Sequence, residues 1–133
     1  VKYFSVAEAE ALIPDLERIF EAVIELAAKA EAKAERIRGM AEDEKRHVSD
    51  LAIEKSQLQF LANAMNDWFR KIADLGALPK GIDPALVDFP HRLAGQDVYL
   101  CWKLGDQKIT HYHGMDEGFG GRKALPRASK PAS

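Results

Sequence analysis

From Leu16 to Leu75 the apolar residues return every three or four positions with a single interruption, and this periodicity constrains the chain more than any other feature. Leu16, Ile19, Phe20, Val23, Leu26, Ala27, Ala30, Ala34 and Ile37 mark one face of a helix, leaving Glu17, Glu21, Glu25, Lys29 and Lys33 on the other. After Gly39 the pattern resumes with Leu51, Leu58, Met65 and Ile72 seven apart, and Leu61, Trp68 and Leu75 three behind them, which is heptad spacing. The polar stretch from Gly39 to Glu44 has room only for a reversal, so the two helices are expected to lie antiparallel as a coiled-coil-like hairpin over roughly residues 6–75. Ser5-Val6-Ala7-Glu8 is a capping box that starts the helical region, and Pro14 either kinks a short first segment or serves as the first-turn proline of the main helix.

Beyond Gly76 the helical period stops. Pro79, Gly81 and Pro84 break any helix, and alternation takes over: Val98, Leu100 and Trp102 alternate with Tyr99, Cys101 and Lys103. A turn at Gly105-Asp106 followed by a strand from Lys108 to His113 makes a β-hairpin, with Leu86–Phe89 as a third strand. The fold class is therefore expected to be α+β: the helical hairpin, then a small antiparallel β-hairpin or three-stranded sheet over about residues 84–121. At 133 residues the chain suits one domain, placed at 1–121. Residues 122–133 hold four basic residues and no acid, and are expected to form a flexible tail.

Composition narrows the function classes. A formal net charge of −2 lacks the basic excess of a dedicated nucleic-acid binder. Cys101 is the sole cysteine, so one chain can build neither an internal disulfide nor an all-cysteine metal site. No run approaches the roughly 18 apolar residues of a membrane span, and a cytoplasmic location is expected.

Several constellations could carry chemistry. With a two-residue turn at Gly105-Asp106, Leu100 faces His111 and Val98 faces His113, so both imidazoles share the face of Trp102. His111 and His113 could then hold a divalent metal with Asp116, Glu117 or His91 as third ligand, although a histidine on a half-buried sheet face more often packs its ring and bonds a backbone group. The same register sends Cys101 to the opposite face, away from an activating base. Glu44 and His47 have the Glu-x-x-His spacing of di-iron bundles, but the second copy such a site needs is missing. Gly118-Phe119-Gly120-Gly121-Arg122 could cradle an anion through backbone N–H groups and the guanidinium, or could simply turn the chain with Phe119 as an apolar plug.

Leu86-Val87-Asp88-Phe89-Pro90, the run from Val98 to Gly105, Tyr112-His113 and Gly118-Phe119-x-Gly121-Arg122 together resemble an uncharacterised prokaryotic family, domain of unknown function 2203. Tyr3-Phe4 and the stretch from Glu8 to Pro14 are similar to its opening. The resemblance brings no activity, but it implies that Asp88, Trp102, His113, Phe119 and Arg122 belong to one signature, which does not include His111.

Two functions follow as expectations. The first is a non-enzymatic module that self-associates, as a homodimer, or binds another protein through the helical seam. The second is a metal- or anion-binding protein, with hydrolysis as one chemistry it could support, whose site lies near Asp88, His113 and Arg122.

Overall fold

The computed structural model describes residues 1–126. Within them the elements run α1 (Val6–Ala11), α2 (Ile13–Ala41), α3 (Val48–Asp74), β1 (Leu78–Ile82), β2 (Ala85–Leu93), β3 (Gln96–Lys103), β4 (His111–Gly114), a 3-10 turn (Phe119–Gly121) and β5 (Lys123–Ala124). Residues 127–133, the greater part of the expected tail, lie outside the described residues.

The expected fold class is corrected on two counts: among the described residues there are three helices rather than a two-helix hairpin, and the strands form one five-stranded antiparallel sheet in the order β1-β2-β3-β4-β5. The third helix comes from the chain's opening. The Glu8 N–H donates to Ser5 Oγ at 3.0 Å and the Ser5 N–H donates to Glu8 Oε1 at 2.9 Å, starting α1. Pro14 has no N–H to continue that helix, and Leu12 closes it by turning its own N–H to the Ala9 and Glu10 carbonyls.

Of the extra strands, β1 was hidden by its proline and glycine and β5 by its two-residue length. β1 reads Leu-Pro-Lys-Gly-Ile, without alternation, but it lies at a sheet edge where a missing donor is tolerated, and its register shifts between Pro79 and Gly81. In β2, pairing with β1 ends at Asp88, so Pro90 lies past the end of that ladder and its carbonyl instead accepts the Phe4 N–H at 2.7 Å. β2 and β3 are joined by the two-residue turn Ala94-Gly95, with φ of +52° and +80°, the signs of a type I′ turn.

The chain divides into two compact units, Val1–Glu17 with Ile72 onward, and Arg18–Lys71. In the first, one sheet face carries Val87, Phe89, Val98, Leu100 and Trp102, all buried; Phe4, Ala9, Ile13, Leu16 and Ile72 are buried in the same unit. The Phe4 ring meets Phe89 edge-on at 5.1 Å. The N-terminal segment is pinned by His91 Nδ1 at 2.6 Å from the Phe4 carbonyl and by the Tyr3 hydroxyl donating to Asp97 at 2.9 Å.

In the second unit α2 and α3 run antiparallel, with Lys33 Nζ 2.9 Å from a Glu54 oxygen and Phe20 edge-on to Phe69 at 6.3 Å. Ile19, Phe20, Val23 and Leu51 are buried there. Leu58, Met65 and Trp68 of the heptad series are only half-buried and Phe60 is 72% exposed, so the spacing does not build a sealed coiled-coil seam. No helix among the described residues is long and apolar enough to cross a membrane.

Ala94 is the one non-glycine residue at positive φ among the described residues, in a turn where asparagine is favoured. Ala94→Asn is expected to raise unfolding stability by about 1 kcal/mol, read as a higher urea midpoint at unchanged slope; an unchanged or lower midpoint contradicts the turn assignment.

Candidate metal centre

The second face of the sheet is polar at its centre. Asp88 on β2 pairs with Cys101 on β3, and two residues back along β3 Tyr99 pairs with His113 on β4. Residues opposite one another in an antiparallel pair share a face, so Asp88, Cys101, Tyr99 and His113 converge. Asp88 and His113 reach across β3 to meet, Oδ1 to Nε2, at 3.0 Å, and both are almost fully buried, 3% and 2% exposed. The Tyr99 ring stands beside the imidazole with centroids 5.5 Å apart.

The protons of this pair follow from its partners. His113 Nδ1 is 2.9 Å from the Gly114 carbonyl, which can only accept, so Nδ1 carries a hydrogen. The Nε2–Oδ1 contact then needs one more proton, either on the carboxyl beside a neutral imidazole or on an imidazolium beside a carboxylate. In both descriptions the buried pair is neutral overall, which is how two ionisable groups tolerate burial. Burial raises the Asp88 carboxyl above its ordinary value, against the opposing pull of His113 and then Lys80.

Cys101 completes the group. One ligand atom each from Asp88, Cys101 and His113 lie within 4.8 Å of one another, close enough that the group could hold a metal ion. Burial pushes the Cys101 thiol up to about 11, with Asp88 adding to the rise and Arg122 opposing it. The thiol is therefore protonated at neutral pH in the metal-free protein, and an ion would have to displace that proton.

A loop roofs the group. Lys80, Tyr99, Met115, Glu117 and Phe119 line a cavity of about 260 Å³ over Asp88, Cys101 and His113. The Glu117 carboxylate accepts from the Gly114 N–H at 2.8 Å and from Lys123 at 3.0 Å, and these bonds, the backbone one foremost, hold it below the usual carboxylate range. A Cβ on Gly114 would come within 2.9 Å of Glu117 Oε1, and one on Gly121 within 3.0 Å of Oε2 and 3.1 Å of the Glu117 Cβ. These two glycines thus make room for a carboxylate folded back against its own loop while still partly open to solvent. The Arg122 guanidinium stacks 4.2 Å from the Phe119 ring centroid.

The structure brings together Asp88, His113 and Phe119 of the signature, with Arg122 behind Phe119. Trp102 is on the opposite, apolar face, its indole N–H donating to the Asp106 carbonyl at 3.0 Å. His111 lines a separate groove with Val6, His91, Ile109 and Leu125, and its Nδ1 is 2.8 Å from Thr110 Oγ1. Asp116 is exposed, and neither it nor His111 belongs to the ligand group formed by Asp88, Cys101 and His113.

Cys101 was missed from the site because of one register, and Lys80 because β1 carries no alternation to detect. The expected two-residue turn at Gly105-Asp106 is a loop from Leu104 to Thr110, tied by the Lys103 N–H to Asp106 Oδ2 at 3.1 Å and the Ile109 N–H to Glu10 Oε2 at 2.9 Å. The ladder moves by one residue, Cys101 faces His111 instead of Leu100 doing so, and His113 passes to the cysteine's face.

A family model described as an uncharacterized conserved protein (DUF2203) matches residues 2–125. The chain belongs to that family. No curated protein and no solved structure gives a significant match to this DUF2203 chain.

The raised Asp88 carboxyl has a signed consequence. Folded protein retains a proton that the unfolded chain releases, so this group's contribution is full below the unfolded pKa and is lost as pH rises through the raised folded value. Glu8, Asp97 and Glu117 are instead held low, so their contributions are gained at or below the ordinary carboxylate range. In metal-free protein the melting temperature of the wild type, relative to Asp88→Asn, should fall as pH rises above about 4. Superimposable profiles from about pH 4 to about pH 8 would contradict the assignment.

Proposed function

We propose that this DUF2203 chain binds a divalent transition-metal ion through Asp88, Cys101 and His113. The observation that carries the reading is the convergence of a carboxylate, a thiol and an imidazole within 4.8 Å on one buried sheet face. An Asp–His pair alone would satisfy its own hydrogen bonds; the thiol between the two strands gives the group its third donor. His113 is also held as metal-binding histidines are, one ring nitrogen donating to a backbone carbonyl while the other points at the site.

The donor set of oxygen, nitrogen and sulfur suits zinc or cobalt rather than magnesium or calcium. Tetrahedral zinc would set its ligand atoms roughly 3.3–3.6 Å apart, so Asp88 and His113 open by a few tenths of an ångström while the group closes on Cys101. Three protein ligands leave one coordination position facing the cavity. This reading is preferred to self-association through the helices because three buried donors of different chemistry specify a kind of ligand, whereas exposed apolar side chains of the helical unit such as Phe60 and Ile53 specify no particular partner.

The test is calorimetric titration of the metal-free chain with zinc, together with cobalt absorption spectra. One ion per chain is expected, with release of about two protons near neutral pH, one from the Cys101 thiol and one from the Asp88–His113 pair. Cys101→Ser and His113→Ala should each weaken binding by about 100-fold or more, and cobalt should lose its sulfur charge-transfer band in Cys101→Ser. No stoichiometric ion at micromolar concentration, or equal affinity in Cys101→Ser, would remove the proposal.

A further inference from the structure

We infer that the open coordination position takes a small organic carboxylate, admitted past Lys80; this rests on the metal reading above. The argument begins with charge. A divalent ion held by the Asp88 carboxylate, the Cys101 thiolate and neutral His113 makes a core without net charge. Glu117, the carboxylate of the cavity wall, is already engaged by the Gly114 N–H and Lys123. Lys80 and Arg122 remain, and among the described residues neither has an ion-pair partner: Lys80 Nζ lies 5.8 Å from the Tyr99 ring centroid and Arg122 4.2 Å from that of Phe119. Their charges reach the site, Lys80 acting on Asp88 and Arg122 on Cys101. The loaded centre is therefore positive toward its cavity, which favours an anion over water as the fourth ligand.

The walls select among anions. Leu86, Tyr99, Met115 and Phe119 line the cavity, so an apolar tail has surface to cover. At about 260 Å³ the space suits a chain of a few carbons rather than a nucleotide or a sugar phosphate. Inorganic phosphate would gain the charge but leave the apolar walls unused. A carboxylate with a short aliphatic tail meets both, its oxygen on the metal and its second oxygen toward the Lys80 ammonium.

The experiment loads the full-length chain with cobalt and follows its visible bands during titration with acetate, butyrate and inorganic phosphate, in wild type and Lys80→Met. Butyrate should shift the bands and bind about 10-fold more tightly than acetate, because two further methylenes leave water. Lys80→Met, compared at full cobalt loading, should weaken butyrate about 10-fold without weakening cobalt binding, since the lost charge repels a cation. Bands unmoved by carboxylates, phosphate binding as tightly as butyrate, or an unchanged butyrate affinity in Lys80→Met would each overturn the carboxylate site while the metal centre stands. A chain that takes up no cobalt would overturn both.

Discussion

One proton between Asp88 Oδ1 and His113 Nε2, 3.0 Å apart, lets this sheet bury two ionisable side chains on a face that would otherwise be apolar or wet. The second imidazole hydrogen is fixed by the Gly114 carbonyl, so the pair is neutral and both ring nitrogens and Asp88 Oδ1 have partners. The remainder of the polar face is organised around that pair. Tyr99 stacks beside the imidazole, and Glu117 binds the same Gly114 through its N–H. Removing either member would strand a buried polar group, a loss that commonly costs several kcal/mol.

The same arrangement is poised for exchange. On the proposed reading a divalent cation would replace the shared proton and the thiol proton without leaving net charge behind. Apolar packing on the opposite face, with Phe89, Leu100 and Trp102 fully buried, holds β2 and β3 in the register that places Asp88 beside Cys101. Structural and chemical roles are thus divided between the two faces of one sheet.

How much of this could be read in the sequence depended on whether the signal was local. The capping box of Ser5 and Glu8 and the apolar stripes of α2 and α3 are written in spacings of three and four, and they are present as helices. The family signature singled out Asp88 and His113 together, and their side chains are in contact at 3.0 Å. The coiled-coil reading failed because heptad spacing in one stretch says nothing of the five-stranded sheet that follows it, and along α3 Leu58 is only half-buried and Phe60 exposed. β1 and β5 were illegible because a five-residue edge strand with proline and glycine, and a two-residue strand, carry no alternation to detect. Cys101 was lost to a single residue of register: the Leu104–Thr110 loop is closed by Asp106 and by Glu10 from a distant helix, and no local pattern announces that closure.

On the proposed reading the one proton shared between His113 Nε2 and Asp88 Oδ1 gives way to the metal. Nitrogen-15 chemical shifts of the His113 imidazole measure this directly. In the metal-free chain Nδ1 should read as a protonated nitrogen bonded to a carbonyl, and one equivalent of zinc should move Nε2 to the metal-bound range while Nδ1 keeps its hydrogen. An Nε2 resonance unchanged by zinc, or an Nδ1 without a hydrogen, would contradict it.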